Sequence, residues 1–325
     1  MNHAIRIHAT GGPEALSWEP LDPGRPGPGE ALVRHAAVGL NYIDVYHRTG
    51  LYPLPALPAV PGMEGAGVVE AIGDGVTEVA VGDRVAYAGL PPGAYSQSRC
   101  MPAHRLVILP EGIDFEQAAA MMLQGMTARY LLFGCYRVSA GDTVLIHAAA
   151  GGVGSIAVQW ARHLGATVIG TVGSKEKAAQ AEANGCHHPI LYNQENWVSQ
   201  IRDITDGKGV NVVYDSVGQA TFYNSLDCLR PMGMMVSFGQ ASGAIPPVDL
   251  QVLAAKGSLF LTRPSLMAYT ADRADLLAHA ADLFDVVTRG DVTIAVKQRY
   301  PLKDAARAHA DLEARRTSGS TVLLP

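Results

Sequence analysis

Three closely spaced glycines, Gly151, Gly152 and Gly154, mark the part of this sequence with the clearest sign of chemistry. They follow an apolar run, Thr143–His147, that predicts a buried strand, and they open an apolar-periodic segment that predicts a helix. A strand, a glycine turn and a helix in this order suit a bound diphosphate, because glycines let the backbone approach and a helix N-terminus offers free N–H groups. The spacing is a compressed form of G-x-G-x-x-G, which alone is a weak signal for a dinucleotide.

The end of the next predicted strand, where a dinucleotide would place its adenosine ribose, favours NADPH over NADH. An NAD site usually has an Asp or Glu there, which holds the 2′-hydroxyl group. Residues 171–177 read TVGSKEK instead, with small residues and two lysines that suit a 2′-phosphate; ordinary surface lysines are the alternative. We expect Ser174 to cap the following helix and Glu176 to serve its first turn, so no carboxylate remains for the ribose. The candidates for contacting the phosphate are Gly173, Ser174, Lys175, Lys177, Tyr192, Arg315 and Arg316.

The elements that would position these residues alternate between strands and helices after Phe115. Apolar runs predict strands, and apolar residues at every third or fourth position predict helices. The predicted strands are 143–147, 167–171, 188–191, 210–215 and 234–238, and the predicted helices are 152–164, 175–184, 197–205 and 220–229. This alternation indicates βαβ units and a parallel sheet covered on both faces, with the ligand at the carboxyl ends of the strands.

The rest of the chain predicts a second, β-rich domain. Short apolar runs separated by Gly, Pro and Asp fill residues 2–125, and the end of the chain returns to helices and strands of mixed type. We therefore predict an α/β fold with a doubly wound, Rossmann-type parallel sheet, residues 126–265. This domain is inserted into a β-rich catalytic domain made of residues 1–125 and 266–325.

The composition excludes several classes of protein. The 325 residues include 25 basic and 30 acidic side chains, and the net charge of −5 argues against a nucleic-acid partner or an anionic membrane. No apolar run approaches the about 18 residues of a spanning helix, and no secretory signal is visible, so we expect a cytoplasmic protein. The four cysteines are far apart in sequence and suggest neither a zinc ribbon nor a redox pair.

Four segments together resemble one known family. They are residues 41–52 (NYIDVYHRTGLY), 61–76 (PGMEGAGVVEAIGDGV), 147–172 (HAAAGGVGSIAVQWARHLGATVIGTV) and 315–325 (RRTSGSTVLLP). This combination is similar to that of the zinc-free quinone oxidoreductases, the zeta-crystallin-like branch of the medium-chain dehydrogenase/reductase superfamily. The resemblance covers essentially the whole chain. It implies a Rossmann-type domain inserted into a GroES-like catalytic domain, and NADPH-dependent reduction of a quinone.

The sequence departs from the zinc-dependent branch of that superfamily at the metal-ligand positions. That branch has a catalytic cysteine before its first helix and a Gly-His-Glu motif, whereas Asn41 and Met63 stand at those positions here. The lobe that binds a structural zinc through four cysteines is also missing, since residues 89–100 contain only Cys100. Zinc needs three or four N, S or O ligands at fixed geometry, so we predict that no metal is bound.

An electron-poor quinone can accept hydride without a Lewis acid, provided that the protein orients it. The resemblance implies that Asn41, Tyr46 and Tyr52 form the catalytic side, where they would orient the quinone carbonyl while water supplies the proton. Tyr52 precedes a proline-rich loop, so packing alone is the alternative for it. The cofactor contacts implied by the resemblance and by the strand ends are Thr127, Tyr130, Gly151, Gly152, Val153, Gly173, Ser174, Lys177, Tyr192, Ser216, Phe238, Gly239, Gln240, Phe260, Arg263, Pro264 and Arg315.

Two alternatives to quinone reduction stay open from the sequence. Hydride delivery to a conjugated carbon needs much the same site, so one is an NADPH-dependent reductase of enones or alkenals. The other is a non-catalytic, crystallin-like NADPH-binding protein. Family habit also implies a homodimer through the sheet edges of the nucleotide domain, with Gly233–Phe238 and Ser258–Thr262 as candidate segments. We expect His147, beside the glycine turn, to pack at a strand end rather than to act as an acid.

Overall fold

A computed structural model of the chain describes residues 2–193 and 196–325. Contacts between residues divide it into two compact units. The terminal unit consists of Met1–Met126, Thr270–Thr288 and Ile294–Pro325, and the inserted unit consists of Thr127–Tyr269 and Arg289–Thr293. The predicted domain boundaries at 125/126 and 265/266 stay a prediction about where a separately folding domain begins and ends.

The described residues form fifteen strands and eleven α-helices. The strands are β1 (His3–Ile7), β2 (Leu16–Pro20), β3 (Glu30–Leu40), β4 (Glu64–Ile72), β5 (Arg84–Ala88), β6 (Ser98–Pro102), β7 (Val107–Ile108), β8 (Thr143–Ile146), β9 (Thr167–Val172), β10 (His188–Leu191), β11 (Val210–Asp215), β12 (Leu229–Ser237), β13 (Phe260–Thr262), β14 (Val296–Pro301) and β15 (Ser320–Leu324). The helices are α1 (Tyr42–Thr49), α2 (Phe115–Ala119), α3 (Met122–Tyr130), α4 (Gly152–His163), α5 (Lys175–Ala183), α6 (Trp197–Ile204), α7 (Phe222–Cys228), α8 (Gln251–Ala255), α9 (Leu266–Tyr269), α10 (Arg273–Thr288) and α11 (Ala305–Glu313).

The inserted unit contains a six-stranded parallel sheet with the order β10-β9-β8-β11-β12-β13. The first strand of this unit, β8, lies beside its fourth, β11, so the strand order reverses between them. This is the Rossmann arrangement, and its ligands bind where the order reverses. The doubly wound parallel sheet predicted from the sequence is thereby confirmed.

The terminal unit contains a seven-stranded mixed sheet and a separate hairpin of β1 and β2. The order β14-β15-β3-β4-β5-β7, with β6 on β3, places the closing strand β15 between β14 and β3. Val322 lies opposite Gly39 in the antiparallel pair of β15 and β3. Two segments far apart in sequence therefore share one sheet, as the predicted insertion requires.

Each unit has an apolar core of its own, which explains why these sequences form these elements. In the inserted unit, alternate strand residues such as Leu145, Ile169 and Val213 pack with Trp197 and Phe222 from the helices. Strands buried on both faces read as continuous apolar runs, which is how the sequence revealed them. The terminal core is formed by residues such as Ile5, Val33, Val85 and Leu323, with Tyr87 and Tyr95 among them.

β12 shows where sequence punctuation misled the prediction. The strand begins at Leu229 rather than at Met234, despite Pro231 and Gly233. β13 covers only Met234–Val236, so the missing N–H of Pro231 lies where no partner strand of that edge needs it. Among the described residues, no helix combines the length and the apolar character needed to cross a membrane.

Candidate active site

The glycine turn joins β8 to α4 and has the geometry of a diphosphate cradle. Gly151 is the N-cap residue of α4, and its N–H donates to the carbonyl oxygen of Ala148 at 2.8 Å. Ala148 adopts a left-handed conformation with φ of 52°, which turns its carbonyl toward the helix start. A Cβ on Gly154 would overlap that oxygen, so only glycine fits. Gly152 and Val153 form the first turn of α4, whose N–H groups have no partner within a helix and which holds no acidic residue.

A buried hydrogen-bond chain supports the turn from below. His147 Nε2 lies 2.8 Å from Ser225 Oγ, and its Nδ1 lies 2.7 Å from Thr171 Oγ1. Ser225 donates to Asp215 Oδ2 at 3.1 Å, so it must accept from His147 Nε2–H, and Nδ1 must accept from Thr171. Burial lowers the pKa of His147, in keeping with this neutral tautomer. The expected packing role of His147 at a strand end agrees with these contacts, which leave neither nitrogen for a substrate.

Asp215 organises the next turn at the carboxyl edge of the sheet. Its Oδ1 accepts the N–H groups of Val217 and Gly218 at 2.8 and 3.0 Å, and its Oδ2 accepts Thr221 Oγ1 at 2.7 Å. These bonds hold Ser216, a predicted cofactor contact, at the end of β11. Asp215 was not among the site residues predicted from the sequence; the available signal was a lone carboxylate that closes the apolar run VNVVYD.

The predicted nicotinamide-side residues of the inserted unit meet at the ends of β11, β12 and β13. Gly239 lies so close to Ser216 that a Cβ there would be 2.6 Å from the Ser216 carbonyl oxygen. Phe238 N–H donates to the carbonyl oxygen of Asp215 at 2.8 Å. Arg263 Nη1 donates to the carbonyl oxygens of Ser237 and Gly239 at 2.9 and 3.2 Å, so it fixes the end of β12. Gln240 and Pro264 are half-buried next to these residues in sequence.

Three further predicted contacts lie at the edges of this unit. The rings of Tyr130 and Tyr269 stack 4.7 Å apart with an interplanar angle of 7°, and burial raises the pKa of the Tyr130 phenol. A side-chain hydrogen bond that Tyr130 accepts from Thr127 opposes that shift. Phe260 differs from the others, because it lies on edge strand β13 with 57% of its surface exposed.

The predicted adenosine-phosphate pocket is formed by the end of β9 and the start of α5. Ser174 is the N-cap of α5, and its Oγ accepts the N–H of Lys177 at 3.3 Å, as expected from the sequence. A hydrogen bond with Ser174 lowers the pKa of Glu176, which occupies the first turn of α5. A Cβ on Gly173 would meet the Tyr192 ring at 3.4 Å, so these two residues are neighbours. Arg315 belongs to the terminal unit, where it follows α11 with φ of 59°.

The terminal unit brings the three predicted catalytic residues to the two ends of α1. Asn41 is the N-cap residue, and its backbone N–H donates to Asp44 Oδ2 at 2.9 Å. Tyr46 lies in the helix, and the Tyr52 N–H donates to its carbonyl oxygen at 3.0 Å just beyond the helix. The Tyr46 ring centroid is 5.1 Å from that of Tyr52 and 5.8 Å from that of Tyr42, so three phenols form one aromatic cluster.

A buried chain of polar side chains ends at Asn41. Ser320 Oγ donates to Gln124 Oε1 at 2.6 Å, and Gln124 Nε2 donates to Asn41 Oδ1 at 3.0 Å. Asn41 Nδ2 donates to Glu64 Oε2 at 2.7 Å, and Glu64 Oε1 accepts the N–H of Leu123 at 2.8 Å. All four polar side chains are at least nine-tenths buried. Gln124 and Ser320 were not predicted from the sequence; the available signal for Gln124 was its position as a polar residue inside the apolar run MMLQGM.

Burial raises the pKa of two carboxyls beside Asn41. The Glu64 side chain is fully buried, and desolvation raises its pKa to about 8 although Asn41 and Leu123 donate to it. Desolvation likewise raises the pKa of Asp44 to about 7, against hydrogen bonds from Asn41 and Tyr95. Both carboxyls therefore change ionisation near neutral pH.

α1 is also tied to α11 by a second network of mostly buried side chains. Arg48 donates to Glu313 through two nitrogens, at 2.8 and 2.9 Å, and to His309 Nδ1 at 3.2 Å. Since Arg48 always donates, His309 must carry its proton on Nε2, 2.9 Å from Tyr95 Oη. Tyr95 donates in turn to Asp44 Oδ2 at 3.1 Å. This network holds α1, which carries Tyr46 and is flanked by Asn41 and Tyr52.

The side chains at the positions that hold zinc in the zinc-dependent branch do not suit that metal here. Met63 is buried, and the Asn41 amide already bonds to Glu64 and Gln124. Throughout residues 2–193 and 196–325, no three His, Cys, Asp or Glu side chains are grouped so as to hold a metal ion. Zinc prefers imidazole and thiolate ligands, which these positions do not provide.

An inserted Rossmann unit and a β-rich terminal unit define a dehydrogenase/reductase of the medium-chain type. The sequence matches the family model of the alcohol dehydrogenase GroES-like domain over residues 27–111 and that of the zinc-binding dehydrogenases over residues 152–281. It is 53% identical to the quinone oxidoreductase of Pseudomonas aeruginosa, over the whole of both chains. It is 48% identical to the 2-haloacrylate reductase of a Burkholderia species, over 99% of this chain and 98% of that one.

A solved structure agrees with this assignment. The crystal structure of Escherichia coli quinone oxidoreductase complexed with NADPH matches with a TM-score of 0.98 and 48% identity, over 99% of this chain and all of that one. The chain therefore belongs to the zinc-free quinone oxidoreductases of the medium-chain dehydrogenase/reductase superfamily. It is an oxidoreductase, and the family resemblance recognised from the sequence is confirmed.

Proposed function

We propose that the protein is an NADPH-dependent quinone reductase that works without a metal. The observation that carries this proposal is similarity along the full chain, at 48% and 53% identity, to two quinone oxidoreductases, one of which is complexed with NADPH. Asn41 and Met63 are not typical zinc ligands, and this supports reduction without a metal. A quinone is electron-poor enough to be reduced without a Lewis acid.

The inserted unit provides the residues that would hold the cofactor. The glycine turn and the first turn of α4 would bind the diphosphate through their N–H groups. Ser174, Lys177 and Tyr192 would surround the adenosine 2′-phosphate, together with Arg315. Bound NADPH supplies the hydride. The remaining proposed contacts are Thr127, Tyr130, Ser216, Phe238, Gly239, Gln240, Phe260, Arg263 and Pro264.

The terminal unit provides the residues that would orient the substrate. Asn41, Tyr46 and Tyr52 offer an amide and two phenols around one aromatic cluster. They would hydrogen-bond the quinone carbonyl and pack against its ring, while water supplies the proton at oxygen. Orientation of this kind contributes to the rate because it replaces a bimolecular encounter by a fixed geometry.

A steady-state assay tests both the activity and the cofactor. We expect NADPH oxidation with 1,4-benzoquinone and 9,10-phenanthrenequinone, and a kcat/KM for NADPH about ten- to a hundred-fold above that for NADH, the factor that a charge-assisted contact to the phosphate gives. Ser174→Asp keeps a good N-cap but repels the phosphate, so it should reverse this preference. A wild-type preference for NADH would contradict the proposed pocket, and NADPH binding without turnover would favour the crystallin-like alternative.

A second function is supported by one relative. The 48% identity to a 2-haloacrylate reductase covers nearly the whole chain, and that name denotes the reduction of a conjugated alkene. The same assay with crotonaldehyde, other 2-alkenals and 2-chloroacrylate as acceptors separates the two functions. Quinones should give the higher kcat/KM if the first proposal is correct.

The proposed assembly is a homodimer formed through the inserted unit. β13 is the edge strand of the parallel sheet and carries the exposed side chain of Phe260. Exposed Met232 belongs to the neighbouring strand β12, and exposed Leu250 lies between β12 and β13 in sequence. β12 cannot serve as the edge over Met234–Val236, because β13 covers it there.

We also propose a cytoplasmic location, since the four cysteines are free thiols, as is usual in reducing compartments.

A further inference from the structure

The amide of Asn41 has one orientation in the structure, and this orientation is fixed when Glu64 is ionised. Above its pKa of about 8, Glu64 is ionised and can only accept, so it then faces the Asn41 Nδ2 group, which lies 2.7 Å away. The Asn41 Oδ1 atom then faces Gln124, whose Nε2 donates to it at 3.0 Å. Ser320 decides the orientation of Gln124 in turn, since its hydroxyl donates to Oε1 at 2.6 Å. The order of donors and acceptors runs one way from Ser320 to Glu64.

This order leaves one polar atom of Asn41 for a ligand. The Oδ1 atom accepts from Gln124 and, in the capping box of α1, from the Asp44 N–H, so both of its lone pairs are used; one of the two Nδ2 hydrogens bonds to Glu64. Within residues 2–193 and 196–325, the second Nδ2 hydrogen has no bonded acceptor. An amide that could otherwise either donate or accept is therefore restricted to donating.

We propose that Asn41 is a committed hydrogen-bond donor to a carbonyl oxygen of the substrate, and that Glu64, Gln124 and Ser320 are the positioning residues that commit it. The proposal rests on the proposed reductase function and narrows it to acceptors that present a carbonyl or carboxylate oxygen. Hydride addition to a quinone or a conjugated carbonyl builds negative charge on that oxygen. A donor already oriented there stabilises the charge without reorganising.

The chain offers an exchange that reverses the Asn41 polarity while keeping the fold and the charge. In the double variant Asn41→Asp with Glu64→Gln, the new amide at position 64 can donate to the new carboxylate at position 41 and still accept from the Leu123 N–H. Gln124 can still donate to position 41. The number of buried hydrogen bonds and the net charge are conserved, but position 41 can now only accept.

We expect the double variant to lose about a hundred- to a thousand-fold in kcat/KM for quinones, the usual cost of removing one oxyanion-stabilising donor. Its dissociation constant for NADPH, measured by fluorescence, should stay within about two-fold of wild type, because neither exchanged position is among the proposed NADPH contacts. A merely structural role predicts near-normal turnover in this variant, since the polar chain is intact. Turnover at the wild-type kcat/KM would overturn the proposal.

Ser320→Ala provides a milder variant in case the double exchange does not fold. Without the hydroxyl, Gln124 is free to turn its amide, so kcat/KM should fall about five-fold, the effect of one net hydrogen bond. Ser320→Thr retains the hydroxyl and should restore activity. If the alanine variant matched wild type, the positioning role would be wrong.

A binding measurement separates this proposal from the proposed function. In the ¹⁵N-labelled wild-type protein with NADP⁺, we expect 9,10-phenanthrenequinone to shift one Nδ2 proton of Asn41 downfield, whether or not turnover occurs. The Asn41 signal is identified by its absence from the double variant. If the quinone saturates its site and neither Asn41 proton shifts, the inference fails even where quinone reduction is confirmed.

Discussion

Glu64 shows what a single buried carboxyl can do that its position in the sequence does not reveal. It is the first residue of β4 and lies inside an apolar stretch. The motif PGMEG indicated only that Met63 stands where the zinc-dependent branch has a histidine. The Asn41 and Leu123 donors reach it from α1 and α3. The raised pKa depends on that assembly, so local sequence could predict the residue but not its ionisation.

The pH dependence of stability provides a test at this residue. The folded-state pKa of Glu64 is raised from 4.5 to about 8, so the unfolded chain releases the proton first as the pH rises. The contribution of Glu64 to stability is therefore fully present below about pH 4.5 and lost as the pH rises through about 8. Asp44, with a pKa raised to about 7, adds to the same trend.

We expect the free energy of unfolding, measured with urea, to fall by a few kcal/mol between pH 5 and pH 9, with Glu64 contributing on the order of 4 kcal/mol. Glu64→Gln should remove much of this slope. Glu70→Gln, which changes an exposed carboxyl in the same strand, should leave the slope unchanged. An equal slope in wild type and Glu64→Gln would contradict the assigned pKa.

The glycine turn is the element that the sequence predicted best, because its requirement is local. Strand, small residues and helix follow directly from composition and spacing, and the structure gives β8, the turn and α4 in that order. The chain His147–Ser225–Asp215 beneath it was not predictable in the same way. His147 follows β8, Asp215 ends β11 and Ser225 belongs to α7, so the three residues meet only after the sheet has formed.

Alanine substitutions at Gly154 and Gly151 test how closely the glycine turn is packed against the Ala148 carbonyl oxygen. A Cβ on Gly154 would overlap the Ala148 carbonyl oxygen, whereas a Cβ on Gly151 would lie 3.1 Å from it. Gly154→Ala should cost about 1–3 kcal/mol of unfolding free energy by overpacking and weaken NADPH binding at least ten-fold. Gly151→Ala, with φ of −81°, should cost less than about 1 kcal/mol in the same urea titration. Equal costs would show that the turn adapts.

At the scale of the whole molecule, the edge of the parallel sheet is where we propose that two copies assemble. An exposed edge strand with an apolar side chain is prone to pair with another chain. Phe260→Glu would place a charge on each copy of β13, so we expect light scattering to give 34.3 kDa instead of twice that mass. Leu277→Glu is the matched control, because Leu277 is also an exposed apolar residue but lies on α10 of the terminal unit. This variant should keep the mass of the proposed dimer. A wild-type monomer would rule out the proposed assembly.

The whole-molecule architecture was predictable in outline, because the change from β-rich to alternating patterns near Phe115 marks the insertion. The pairing of β15 with β3 was not, since nothing local in residues 320–324 specifies a partner hundreds of positions away. That pairing completes the sheet and also brings Ser320 to Gln124. The same long-range closure thus determined both the least predictable part of the fold and the residues missed at the candidate site.

The stacked rings of Tyr130 and Tyr269 have a consequence for the order in which the chain folds. They lie near the two ends of the long segment Thr127–Tyr269, so a folded inserted unit holds those ends within a few ångströms of each other. A chain that must bring β3 and β15 together then closes a much shorter effective loop, which lowers the entropic barrier to that contact. We expect the parallel sheet to form early and to hold the two flanking segments of the chain together. The mixed sheet, which needs both segments, should form afterwards.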